Sequence, residues 1–164
     1  MQPSGALTLG DLIQTGMMKL DLSGHDRELV LRELVDRIPG ILEHPNTREK
    51  LLRALHEREQ LHSTGIGDGV ALPHARNALV GLVDRPVIVF GRHTEGIPYG
   101  AIDGKPAQLF FLIVAPTVTQ HLAVLARISR VLRDPKLRQS LLLATAPEQI
   151  AILIREAEAR MYSN

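Results

Sequence analysis

Apolar residues fall along this chain in two kinds of pattern, and the switch between them outlines its elements. Leu29, Val30, Leu34, Val35 and Ile38 recur at helical spacing, and Pro39-Gly40 ends that helix by removing an N–H and permitting a sharp turn. Asn46 and Glu49 stand three apart as a capping box for a second helix, which carries Leu51, Leu52 and Leu55 inward, runs to about Gln60 and holds Arg58 in its last turn. The last third is helical as well: Leu122, Leu125, Ile128 and Leu132 form an apolar stripe, and Asp134-Pro135 breaks it. Thr145 with Glu148 then caps a final helix bearing Ile150, Leu153, Ile154 and Ala157. Between these helices the pattern changes. Val87-Ile88-Val89-Phe90 and the run from Leu109 to Val114 are continuous rather than alternating, which predicts strands buried on both faces. Asp103-Gly104 predicts a turn pairing Ile97 to Ala101 with a strand from Ala107 onward. Near the start, Leu9, Leu12 and Ile13 predict a short helix, Met18 to Leu22 an extended segment, and Ser23-Gly24-His25-Asp26 a turn. Residues 1–7 lack periodicity and read as a flexible leader.

Helices on both sides of a mixed sheet make this an α/β chain, a three-layer α/β/α sandwich with a mixed central sheet. At 164 residues, without a repeat or a low-complexity linker, one domain over 1–164 is expected, burying about two thirds of the unfolded surface. With 19 basic and 18 acidic residues there is no single-sign field to attract nucleic acid or anionic lipid. Aromatics total five residues and tryptophan is absent, so base-stacking surface is scarce and no nucleic-acid partner is expected. Cysteine is absent as well, which removes disulfides and thiolate metal sites and fits a reducing compartment. The apolar runs, Leu109 to Ala115 among them, fall short of a membrane span, so no direct membrane insertion and a cytoplasmic location are expected.

The candidate chemistry centres on Ser63-Thr64-Gly65-Ile66-Gly67-Asp68-Gly69-Val70-Ala71-Leu72-Pro73-His74. Glycines at alternate positions permit φ > 0 and expose N–H groups that suit an anion, and Pro73 stiffens the approach to His74. A neutral imidazole keeps one free lone pair for attack on phosphorus. The glycines fit neither a P-loop nor the dinucleotide fingerprint, and Ser63 lacks the nucleophile-elbow context of serine hydrolases. The remaining histidines, His25, His44, His56, His62 and His93, include no pair at i, i+4 helical spacing, so neither a metal nor another cofactor is expected. Ser63 and Thr64 stand open between donating to phosphate and stabilising the turn. Asp68 is a turn residue.

These residues closely resemble the active-site signature of the enzyme IIA components of the mannitol/fructose class in the bacterial sugar phosphotransferase system (PTS), a family that includes nitrogen-regulatory IIA proteins. The match extends to Arg58-Glu59, Gly96-Ile97, Asp103-Gly104 and Gln120-His121-Leu122, and covers nearly everything after Met17. The resemblance implies the same layering and a single, free-standing IIA type-2-like domain. It also implies that His74 accepts a phosphoryl group from a small HPr-like phosphocarrier, with His121 beside it as stabiliser and Arg58 as electrostatic partner. Thr64, Ser63 and Gly65 are the expected phosphoryl-binding positions, Glu59 a possible positioner of Arg58, and Arg76 a contact to the donor. Ile66, Val70 and Leu79 are expected to form an apolar surface around His74. His62 departs from the small residue common there in relatives. The onward partner implied is a IIB component in sugar transport or a regulated protein in nitrogen-type signalling, and the free-standing form favours regulation.

Overall fold

The computed structural model describes residues 8–75 and 83–162. The elements run α1 (Leu9–Leu12), β1 (Ile13–Lys19), α2 (Arg27–Val35), a single 3₁₀ turn (Ile41–Glu43), α3 (Pro45–Leu61), β2 (Gly65–Gly67), β3 (Val70–Ala71), β4 (Val87–Ile97), β5 (Ala107–Val114), α4 (Val118–Val131), α5 (Pro135–Leu143) and α6 (Pro147–Tyr162). The strands form one mixed sheet in the order β1-β4-β5-β3-β2. β1 is parallel to β4, β4 antiparallel to β5, β5 parallel to β3, and β3 antiparallel to β2.

The continuous apolar runs resolve into two faces. Along β5, Leu109, Phe111 and Ile113 enter one core while Phe110, Leu112 and Val114 enter the other, as the period of two along a strand requires. The first core is closed by α1, α4, α5 and α6, through Leu9, Val124, Ile128, Leu141, Ile150 and Ile154. The second is closed by α2 and α3, through Val30, Leu34, Leu51 and Leu55. This is the three-layer arrangement that the periodicity predicts. Gly91 in β4 allows the second face to close: a Cβ there would meet Leu34 Cδ2 at 2.5 Å and Leu22 Cδ1 at 2.7 Å.

Several local expectations need correction. Ile13 begins β1 rather than ending the first helix, because its main chain is already extended. Asn46 is inside α3, whose N-cap is His44 without a side-chain bond; Pro45, with φ already fixed near the helical value, starts the helix one residue ahead of Asn46. At α6 the cap comes from Gln149, not Glu148: its Oε1 accepts from Thr145 N at 2.6 Å and Ala146 N at 3.2 Å. The stripe on α4 holds at Ile128 and Leu132, with Leu125 packed against the same core, and fails at Leu122. Leu122 is 61% exposed, and the buried residues are His121, Val124, Ile128 and Val131. The leader expected at 1–7 lies outside the described residues.

Candidate active site

His74 follows β3 at the open end of the β2–β3 hairpin. Leu72 N donates to Thr64 O at 2.9 Å and Ile113 N to Pro73 O at 3.0 Å, so the segment is held on both sides, and His74 itself bridges to Ile113 in parallel register. The glycine turn lies at the other end. Asp68 (φ 56°) and Gly69 (φ 80°) both take positive φ, as a two-residue hairpin turn requires, and Asp68 N donates to Asp103 Oδ2 at 2.8 Å. The expected anion cradle of alternating glycines beside His74 is therefore a hairpin turn at the far end of two short strands.

The half-buried His74 ring has one nitrogen committed. Nδ1 lies 2.7 Å from Leu72 O, and a carbonyl only accepts, so Nδ1 carries the proton and Nε2 keeps the free lone pair. Burial lowers the pKa of His74 below its ordinary value; the Leu72 bond opposes this, Arg58 adds to it, and Glu59 opposes it. Edge-on to this ring, with centroids 5.1 Å apart at 84°, is His121. It is 6% exposed, which removes the reading as a solvent-facing cap, and its Nε2 is buried without a hydrogen-bond partner among the described residues. Burial, with a smaller effect from His74, pushes its pKa down to about 4, so at neutral pH it is uncharged.

Arg58, in the last turn of α3, donates from Nη1 to His62 O at 2.7 Å and acts electrostatically on His74. The structure thus brings His74, His121 and Arg58 together from three separate elements. The other predicted positions are engaged internally. The Ser63 hydroxyl donates to Tyr99 O, and Gly65 N donates to Ser63 Oγ at 3.0 Å. Thr64 is 4% exposed; its N–H donates to Glu59 Oε1 at 2.9 Å and its hydroxyl to Glu59 Oε2. Tyr99 joins this cluster by donating to Glu59 Oε2 at 3.0 Å. Sequence reasoning missed Tyr99, and the Pro-Tyr-Gly context around it carries no signal that it would turn inward. Of the apolar surface expected around His74, Val70 is core, Ile66 is exposed, and Leu79 lies outside the described residues, as does Arg76.

Leu61, next in sequence to His62, and Val118 and Leu122, three before and one after His121, are exposed apolar side chains on α3 and α4. A hollow of ≈ 400 Å³ between α1, α4 and α6 and a cleft of ≈ 650 Å³ between α2 and α3 are both lined by residues other than His74. No helix among the described residues is long and apolar enough to cross a membrane.

The family model for the phosphoenolpyruvate-dependent sugar phosphotransferase system, EIIA 2, matches residues 11–157. The chain belongs to this family. Members of this EIIA family are phosphotransferase carriers. Relatives come from both of its branches. The chain is 34% identical over 154 residues to the fructose-specific EIIABC component of Bacillus subtilis, covering 92% of this chain but only 23% of that protein's length. It is 31% identical over 137 residues to the nitrogen regulatory protein of Bradyrhizobium diazoefficiens, covering 82% of this chain and 86% of that one. Among solved structures, the nitrogen regulatory protein IIA-Ntr of Neisseria meningitidis superposes with a TM-score of 0.78 at 27% identity, over 89% of this chain and 98% of that one. The Escherichia coli complex of enzyme IIA-mannitol with phosphorylated IIB-mannitol shares the fold, with a TM-score of 0.73 at 20% identity over 86% and 95% of the two chains.

Proposed function

We propose that this EIIA-family chain accepts a phosphoryl group on Nε2 of His74 from an HPr-like phosphohistidine donor, and that its role is regulatory. The observation that carries the chemistry is the Nδ1–Leu72 carbonyl bond, which leaves Nε2 as the only nucleophilic nitrogen of the ring. In the transfer, the Nε2 lone pair forms the new N–P bond while the donor's N–P bond breaks and its nitrogen keeps the electron pair. The Nδ1 proton stays with Leu72 O. Charge on the equatorial oxygens of a loose, in-line transition state is met by Arg58 and by an N–H from uncharged His121, whose Nε2 has no other partner among the described residues. Thr64, Ser63 and Gly65 then act on the phosphoryl group only if the group exchanges with their present partners. Leu61, Val118 and Leu122 offer an apolar rim suited to another protein rather than to a small substrate.

Support for regulation comes from the likeness to the Neisseria IIA-Ntr structure, with a TM-score of 0.78 at 27% identity against 0.72 at 21% for mannitol IIA of Escherichia coli. A second reading, transfer to a IIB component in sugar transport, is favoured by the mannitol IIA–IIB complex on the same fold. Both place the chain in the cytoplasm. The test is transfer from phosphorylated HPr and from its nitrogen-branch counterpart to wild type and His74→Ala. Wild type takes up acid-labile, base-stable label and the variant takes none; equal labelling of the two, or label mapped to His121, overturns the assignment. Reconstituted sugar phosphorylation through a IIB acceptor, with no other partner captured, would replace regulation by transport.

A further inference from the structure

Glu59 is a carboxylate that the transfer chemistry above does not use, yet it is 4% exposed and one residue from Arg58. Among the described residues its hydrogen bonds come from neutral donors alone: the Thr64 N–H, the Thr64 hydroxyl and the Tyr99 hydroxyl. A buried carboxylate without a cationic partner is among the costliest groups a fold retains, and neutral hydrogen bonds offset only part of that cost. Two consequences follow from where it sits. Two of the three bonds pin Thr64, whose carbonyl accepts from Leu72 N, and Leu72 O in turn holds Nδ1 of His74. The charge also reaches the imidazole itself: Glu59 favours the positively charged ring, against burial and Arg58, which favour the neutral one.

A phosphoryl group brings between about one and two negative charges to this site. Arg58 attracts them and Glu59 repels them. We propose that Glu59 is a positioning residue that sets how tightly His74 holds its phosphoryl group: its bonds to Thr64 and Tyr99 hold the carboxylate in place, and from there its negative charge opposes the phosphoryl charge that Arg58 attracts. The group is thereby kept exchangeable instead of stored. This rests on the reading of His74 as acceptor, and the exchange it acts on is the balanced one already given, one N–P bond made for one broken.

The test is the equilibrium of phosphoryl exchange between phosphorylated HPr and the full chain, read alongside thermal melting and the NMR titration of the His74 ring. Glu59→Gln keeps the shape and removes the charge, so it shifts the exchange toward the phosphorylated chain by about tenfold and lowers the pH at which His74 titrates. Glu59→Asp and Tyr99→Phe keep the charge and disturb the bonds, so they lower the melting temperature while their equilibria stay closer to wild type than that of Glu59→Gln. An equilibrium that is unchanged in Glu59→Gln, or that tracks melting temperature instead of charge across the variants, overturns the proposal. If Glu59→Gln does not fold, Glu59→Asp and Tyr99→Phe still decide: equilibria displaced in step with lost stability overturn it. If the wild type takes no group from any donor, the acceptor reading fails separately, and the ring titration, which needs no donor, still judges Glu59.

Discussion

Lowering the pH is expected to destabilise this protein through one imidazole in particular. His121 is almost fully buried, and its pKa in the fold is about 4 against an ordinary 6.5, chiefly because burial disfavours the charged ring and secondarily because His74 lies beside it. The folded state therefore binds fewer protons than the unfolded state between those two values. The contribution to stability is complete above the unfolded value and is lost as pH falls toward the folded one. With these endpoints the loss is about 2 kcal/mol at pH 5 and about 3 kcal/mol at pH 4. His74, whose pKa is also lowered, acts in the same direction. The assay is urea unfolding of wild type and His121→Asn from about pH 7 to about pH 4.5, taking the difference in free energy at each pH so that the carboxylates common to both cancel. The gap between the two proteins should shrink or reverse as pH falls. A gap that stays flat across that range would mean that His121 is either solvated or already charged, and the burial argument would fail.

Other outcomes are open to direct measurement. Arg92 is half-buried and donates from Nη1 to Leu141 O, Leu142 O and Ala144 O at the end of α5, and from Nε to Leu20 O, so Arg92→Ala should cost about 2–4 kcal/mol in denaturant unfolding, with Lys recovering part. Loss of less than about 0.5 kcal/mol would show that water satisfies those carbonyls equally well. Arg58→Ala should slow phosphoryl uptake by about ten- to a thousand-fold in rapid-quench kinetics while the label stays on His74. If the chain is a regulator, a captured partner should prefer one phosphorylation state of His74 by about five- to 150-fold in binding assays, the usual range of coupling between sites.

The layers of this fold were legible because burial on two faces leaves a plain mark. The apolar run from Leu109 to Val114 cannot be amphipathic in either period, so it must lie between two cores, and the alternation of Phe110 and Phe111 between those cores is what that run predicts. Helix ends were less legible. A capping box at Asn46 and Glu49 satisfies the sequence rule, but Pro45, with φ already fixed near the helical value, lets the helix begin earlier. The exposure of Leu122 on α4 was hidden for a different reason. Leu122 and His121 are adjacent, a hydrophobicity pattern assigns the leucine inward, and the structure does the reverse, burying His121 edge-on to His74.

That inversion bears on how the site works. A residue type ranked as polar occupies the buried face, and an apolar one is left in water next to it, an exchange that costs stability at both positions. The chemistry gains from each half. Burial keeps His121 uncharged and leaves its Nε2 with no partner among the described residues, open to a phosphoryl oxygen in the proposed transfer. Exposure of Leu122 and Val118 leaves apolar area in water that a protein donor would cover in the proposed transfer. The sequence motif names the histidines, but pattern alone reads them as a strand end and a helix start. Their pairing depends on β3 lying beside β5 in parallel register, with Ile113 N donating to Pro73 O, and on α4 following directly from β5. Substituting His121 by leucine should accordingly stabilise the fold at acidic pH while slowing transfer, and a variant that gained stability at no kinetic cost would remove His121 from the reaction.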